Sequence, residues 1–272
     1  MEVFRIVRAL IVAAGGALVL AGSAGSAGNP CAEQESDYTV HSKGLRVGQV
    51  RMSSKLLPRN DKKLLQFAAT TKINADFFVY SYTMDSHEEV LVGEEGTIRY
   101  MRLAKEQDKL THVDGQLDKG RFILDIRENG ANRTVLVDRG LYDYTSMECP
   151  EIRLQHEGEE KKLRILDLEA LKVVNRTYRW VKSEDVSVDG MRIHCRVIDI
   201  EDPQKRCRRW ITPDAVGAII TRQDGMGKGG SYSMRIAHLK KTHDPRLKHV
   251  YKECIYDGPV LLSSAINGQN FS

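Results

Sequence analysis

The chain has 272 residues, of which 41% are hydrophobic and 29% charged, and 41 Lys or Arg stand against 37 Asp or Glu for a formal net charge of +4. That length suits one large domain or two small ones, and the balance is that of a globular chain, which excludes collagen-like, mucin-like and disordered classes. A mean hydropathy of -0.39 excludes a polytopic membrane protein.

In chain order, the first segment sets the compartment. Arg5 and Arg8 stand against Glu2, residues 9–20 carry no charge, and residues 21–28 are a run of small side chains. This is the order of a secretory signal peptide and predicts cleavage near Ala27, to within roughly two or three residues. Two competing readings are an uncleaved anchor over residues 9–28, close to the ~20 residues a bilayer needs, and a lipoprotein cut at Cys31. A lipidation signal calls for a large aliphatic residue three before the cysteine, whereas Gly28, Asn29 and Pro30 precede Cys31. The expected location is the periplasm, with residues 1–28 as signal peptide, one domain over residues 29–256 and a loose tail over residues 257–272.

The mature chain reads mostly as strands. Short β-branched or aromatic runs fall at 38–40, 45–52, 64–73, 77–84, 97–103, 109–113, 121–127, 133–137, 163–166, 173–188, 191–200, 206–212, 215–222 and 231–241. Asn129-Gly130, Glu94-Glu95-Gly96, Asp114-Gly115, Asp189-Gly190 and Asp224-Gly225 supply hairpin-type turns between them. Helical turns are expected only at 167–171, 61–66 and 245–253. This pattern predicts a mainly β fold, an antiparallel sheet curled into a barrel, half-barrel or sandwich with few short helices. No Pro-rich or Gly/Ser linker and no internal repeat divides it.

A run from Ile165-Leu-Asp-Leu through residues 174–188 ends in Val188-Asp-Gly190, and the Arg208-Arg-Trp-Ile211 strand and residues 215–222 follow, ending in Asp224-Gly225. That order resembles the C-terminal hairpins of periplasmic proteins of the lipoprotein-localisation (LolA/LolB-like) superfamily. The opening Tyr38-Thr-Val-His-Ser-Lys-Gly-Leu-Arg-Val-Gly48 is similar to the first hairpin of uncharacterised exported families grouped with it. The resemblance covers about 100 residues of the chain and implies an incomplete antiparallel barrel around a hydrophobic cavity that holds acyl chains or another apolar ligand. The sequence departs from the carrier pattern in having no long amphipathic helices to plug the half-barrel.

Charge is unevenly spread. Residues 203–252 hold twelve Lys or Arg (Lys205, Arg206, Arg208, Arg209, Arg222, Lys228, Arg235, Lys240, Lys241, Arg246, Lys248 and Lys252) against three acids (Asp214, Asp224 and Asp244). Asp85, Glu88, Glu89, Glu94 and Glu95 form an acidic cluster. A basic stretch in an exported protein suits an anionic membrane surface or an envelope protein, and no nucleic acid is expected. It equally suits a solvated surface.

Five cysteines are too few for a disulfide-dependent fold, yet export permits bridges. Cys195 and Cys207 lie on neighbouring strands, and a bridge between them would be worth on the order of 3 kcal/mol. Their pairing depends on register. A tight turn at residues 202–205 places Cys195 opposite a residue near Thr212, whereas a longer loop centred on Glu201 places the two sulfurs opposite one another. Cys149 with Cys254 is a second candidate, which leaves Cys31 unpaired.

Gly225-Met-Gly-Lys-Gly-Gly230 matches G-x-G-x-x-G, but a dinucleotide site needs it to open a helix, and the alternation that follows reads as a strand; a hairpin turn is expected. His238, His243, His249 and Cys254, at spacings of five, six and five, could converge on zinc, but neither a C-x-x-C nor an H-E-x-x-H is present and lysines flank the histidines, so a basic surface is expected, with no metal and no cofactor. His194 and Cys195 are adjacent on a strand and point to opposite faces, which does not make a nucleophile–base pair. No G-x-S-x-G falls beyond the signal region, and no carboxylate pair stands out. The aromatic strand faces carry the functional reading instead. Phe78, Tyr80 and Tyr82 share one face, as do Tyr178 and Trp180, with Trp210 on a third strand; either they pack a core or they line a ligand cavity. The expectation is a non-enzymatic exported protein that binds or carries a hydrophobic ligand, with an envelope interaction module that has no cavity as the alternative.

Overall fold

The computed structural model describes residues 33–59, 62–77, 80–214, 216–227 and 230–242. The expected signal peptide, the tail over residues 257–272, Phe78, Cys31, Cys254, His243 and His249 lie outside the described residues. Fifteen strands make one sheet: β1 (Glu33–Ser42), β2 (Leu45–Arg59), β3 (Lys62–Phe77), β4 (Tyr80–Gly93), β5 (Gly96–Glu106), β6 (Lys109–Asp118), β7 (Arg121–Glu128), β8 (Ala131–Asp138), β9 (Tyr144–Thr145), β10 (Glu160–Asp167), β11 (Lys172–Val188), β12 (Met191–Glu201), β13 (Lys205–Asp214), β14 (Gly217–Gly227) and β15 (Gly230–Thr242). The helical content among the described residues is two short 3-10 turns, Arg139–Leu141 and Pro150–Arg153.

The topology is a meander interrupted once. Strands run from β8 back through β1, β1 pairs with β15, and β15 leads through β10 to β9 at the far edge. Every pair is antiparallel except the short parallel contact of β9 with β10. This is the incomplete antiparallel barrel the sequence implied: the sheet stays open, with β8 and β9 as its two ends.

The sheet is nevertheless strongly curled. β5 and β9 stand eleven strands apart in its order, roughly 50 Å if it were flat. Their hydroxyls meet all the same: Thr97 Oγ1 lies 2.6 Å from Thr145 Oγ1. Glu148 locks that approach, its Oε1 accepting from the backbone and side-chain donors of both threonines at 3.0–3.2 Å. Side chains, not a backbone ladder, thus bring the β9 end against β5.

Alternation dictates which face is buried. On β1, Gln34, Ser36, Tyr38, Val40 and Ser42 are buried while Glu35 is exposed. One cluster joins Tyr38, Val40, Tyr82, Tyr178, Ile198, Ile211 and Met234; a second joins Tyr100, Phe122, Leu124, Ile126, Leu166 and Leu168. Each fully buried large side chain contributes about 1.5–3 kcal/mol.

Some expected turns are strand. Asn129-Gly130 and Asp189-Gly190 do turn, with positive φ at both residues of each pair as two-residue hairpins require. Asp114-Gly115 and Asp224-Gly225 instead lie within β6 and β14. The glycines there serve close approach: a Cβ on Gly225 would sit 2.3–2.5 Å from the Tyr232 ring, and one on Gly115 2.8 Å from Phe122. The helical turn expected at 61–66 is replaced by β3, whose Leu64 and Leu65 pair with Leu57 and Leu56 and lengthen the β2–β3 hairpin. The G-x-G-x-x-G run joins β14 to β15, with Gly227 opposite Gly230, as expected of a hairpin.

The Cys195–Cys207 bridge is corrected by register. Cys207 pairs with Ile200, so Cys195 lies five residues along β12, roughly 16 Å away. The cause is the tight turn: Asp202 Oδ1 accepts from Gln204 N (2.9 Å) and Lys205 N (3.0 Å). Both thiols are free, and Cys195 Sγ sits 3.3 Å from Thr221 Oγ1.

Candidate functional site

A broad open cleft of about 1140 Å³ lies across β10–β15 and the β1–β2 turn, lined by outward-facing side chains together with Ile200, Cys207 and Tyr232 of the main core. Its floor is set by strand alternation and register. Arg179 pairs with Asp199, Asp199 with Arg208, Arg208 with Asp224, Asp224 with Ser233 and Ser233 with His41, so one transverse row crosses six strands. A neighbouring row brings Trp210 opposite Arg222 and Arg222 opposite Arg235.

Ion pairs knit these rows. Arg208 grips Asp199 with two hydrogen bonds, Nε to Oδ1 at 2.6 Å and Nη2 to Oδ2 at 2.9 Å, and Arg179 approaches the same carboxylate at 3.5 Å. Arg222 donates to Asp224 through Nε at 2.8 Å, and Arg235 reaches Asp224 at 3.3 Å. The Arg222 guanidinium also lies 4.2 Å from the centre of the Trp210 ring, a cation–π contact that fixes its plane. The hydrogen bonds from Arg208 hold the Asp199 carboxyl below the usual carboxylate range. Six cations (Lys43, Arg179, Arg206, Arg208, Arg222 and Arg235) line the cleft against four carboxylates (Glu160, Asp199, Glu201 and Asp224). The cleft is therefore net positive, rich in preset guanidinium donors, and rimmed by one exposed apolar side chain, Met226. Among the described residues no cluster of His, Cys, Asp and Glu could hold a metal ion.

Of the aromatic residues singled out from the sequence, Tyr82, Tyr178 and Trp180 are brought together in the main core and not around a cavity, and Trp210 stands apart from them. Tyr82 is buried in the main core, its hydroxyl donating to Glu106 Oε1 at 3.1 Å. Tyr178 is buried in the same cluster. Trp180 packs against that cluster under the Arg196 guanidinium, 4.4 Å from its ring, and donates from Nε1 to the Lys182 carbonyl at 3.0 Å. Tyr80 opens β4. Among the members of the set whose side chains are described, Trp210 lines the cleft, because its parity on β13 is opposite to that of Arg209 and Ile211. Of the basic stretch, Arg206, Arg208, Arg222 and Arg235 line the cleft, whereas Arg209 turns inward to Glu151. Lys240 and Lys241 pair with Glu35 and Asp214, and His238 with Asp189.

No protein-family model matches this chain, and no curated protein matches it. Among solved structures it is similar in fold to a beta-barrel-like protein of domain of unknown function DUF1849 from Brucella abortus. The two are 12% identical, with a TM-score of 0.51 over 78% of this chain and 98% of that one. The fold is beta-barrel-like.

The sequence reading missed a charged interior. Arg176 bridges Asp167 (2.9 Å) and Asp202 (3.1 Å), and Lys205 stands 3.5 Å from Asp167. Arg102 lies 3.2 Å from Glu88. Burial pushes the Glu88 carboxyl up to about 7, with Arg102 acting in the other direction. Burial likewise pushes Glu169 up to about 8, opposed by Arg102 and Lys205 and assisted by Asp167 and Glu88. Its buried Oε1 accepts no hydrogen bond. The signal was present in the alternation: Glu88 falls in phase with the buried Met84, Ser86 and Val90, so it points inward despite its acidic neighbours. Around this interior the cavities at Glu88 and at Arg176 measure only about 30 and 20 Å³, room for one water each at most.

Proposed function

We propose that this chain is an exported, non-enzymatic binding protein that takes up an amphiphile carrying an acidic group, and that the ligand sits in the outer cleft of β10–β15. The observation that carries this reading is the excess of guanidinium and ammonium groups over carboxylates in a cleft of about 1140 Å³, a volume on the scale of small-molecule sites. The ligand's acidic group meets arginines already held in place by Asp199, Asp224 and Trp210, so little side-chain entropy is lost on binding. Its apolar part runs along Met226 and the cleft wall, where each methylene withdrawn from water adds about 0.8 kcal/mol. The resemblance of the hairpins to lipoprotein-localisation proteins, and the secretory character of residues 1–28, point to the same class.

The packed state of Tyr82 and Tyr178 favours the cleft over the barrel interior as the place of binding. The two tryptophans supply the test, since only Trp210 lines the cleft. In a Trp180→Phe variant, titration with octanoate is expected to change Trp210 emission saturably at one ligand per chain. Unchanged emission, with a salt-sensitive protein partner still bound, would make the chain an envelope interaction module instead.

A further inference from the structure

We infer that the acidic group recognised in the cleft is a phosphoryl group, docked on the guanidiniums of Arg208, Arg222 and Arg235. This rests on the reading of the cleft as the ligand site and names its headgroup.

The cleft as a whole holds six cations against four carboxylates, and two of those carboxylates, Asp199 and Asp224, each serve two arginines. That leaves the cleft with two positive charges in excess. A dianionic phosphate monoester neutralises both, whereas a carboxylate leaves one.

Arg222 and Arg235 are directly opposite each other on β14 and β15, and like charges in that relation repel. Asp224 can hold both guanidiniums from one side only, through Oδ2 and Oδ1. A tetrahedral anion above the pair relieves the repulsion from the other side, and arginine forks match phosphate oxygens in bidentate fashion. Ser233, next in the row beyond Asp224, places a neutral hydroxyl donor beside them.

Arg222 is stacked on Trp210 and Arg208 is held by two hydrogen bonds to Asp199. These arginines do not have to be ordered by the ligand, which distinguishes them from solvated surface lysines.

The experiment compares octyl phosphate, octanoate and inorganic phosphate at pH 8 on the full mature chain, by calorimetry. Octyl phosphate is expected to bind at least tenfold more tightly than octanoate. Arg235→Gln is expected to reduce that preference below threefold while octanoate still binds, and Arg51→Gln, outside the cleft, to leave both affinities unchanged. Inorganic phosphate binding as tightly as octyl phosphate would assign the site to free phosphate; weaker binding would assign it to a lipid headgroup, and either result supports phosphoryl recognition. Equal affinities for octyl phosphate and octanoate would overturn the inference and leave the cleft reading standing. Binding of neither octyl compound nor of phosphate would overturn both. Thermal unfolding of the Arg235→Gln variant within a few degrees of the parent shows that a loss of preference is not a loss of fold.

Discussion

Arg208 on β13 holds Asp199 on β12 by a two-point contact, 2.6 and 2.9 Å, at the centre of a charged row that crosses the outer sheet. The pair is half exposed, so its own contribution to stability is small, about 0.5–1 kcal/mol. Its consequence lies in charge. Asp199→Asn is expected to free Arg179 and Arg208 and to strengthen binding of an anionic probe severalfold, whereas Arg208→Gln weakens it. Opposite shifts from the two partners of one ion pair, read by calorimetry with octyl phosphate, distinguish local electrostatics from loss of fold, which would weaken both.

The same pair sets a modest acid sensitivity. Asp199 is held below its ordinary 3.8 in the folded chain, so its contribution is present above pH 3.8 and is lost as pH falls through the lower folded value. Denaturant midpoints of wild type and Asp199→Asn are expected to differ at pH 7 and to converge as pH falls below 3.8.

Glu169 acts in the opposite direction. Its folded value of about 8 lies above the ordinary 4.5 because burial disfavours the charged form. Between pH 4.5 and about 8 the folded chain keeps a proton that the unfolded chain has released, so stability falls as pH rises through that window. Glu169→Gln removes the proton linkage. The variant is expected to match or exceed wild type at pH 8.5 by a few kcal/mol and to lose that advantage near pH 4.5, as read by urea unfolding at the two values.

The Gly225–Tyr232 contact is a packing prediction. An added methyl would lie 2.3–2.5 Å from the phenol ring, so Gly225→Ala is expected to cost about 1–3 kcal/mol. Combining it with Tyr232→Leu should cost less than the sum of the two single changes, because the second substitution removes the atoms that clash.

Glu148 holds the β9 edge to β5 with four hydrogen bonds on one carboxylate oxygen. Glu148→Leu removes the shared acceptor of Thr97 and Thr145, whose hydroxyls keep only each other, and each buried donor left unpaired costs about 1–3 kcal/mol. Hydrogen exchange is expected to accelerate at Thr97 and Thr145 while the β2–β3 hairpin stays protected.

Most of the architecture is legible in the sequence because it is carried by period-two alternation and by turns such as Asn129-Gly130. The Asp-Gly pairs at 114–115 and 224–225 mislead because the need for glycine there comes from a ring on a neighbouring strand, Phe122 or Tyr232, which local sequence cannot reveal. The cleft is partly legible. The basic character of the later strands is visible, but which arginines face outward depends on register and on the β13 parity that sends Arg208 out and Arg209 in. The aromatic residues Tyr82 and Tyr178 read equally as wall or core, and the curl of the sheet makes them core. The Cys195–Cys207 question turns on one turn, decided by the Asp202 side chain.

The measurement that bears most directly on the cleft as a ligand site is native mass spectrometry of the mature protein from an exporting host, followed by organic extraction. The account predicts one acidic amphiphile per chain, absent from an Arg208→Gln, Arg235→Gln double variant that remains folded. A ligand-free mass, with no uptake of octyl phosphate or octanoate by the wild-type chain, would contradict it.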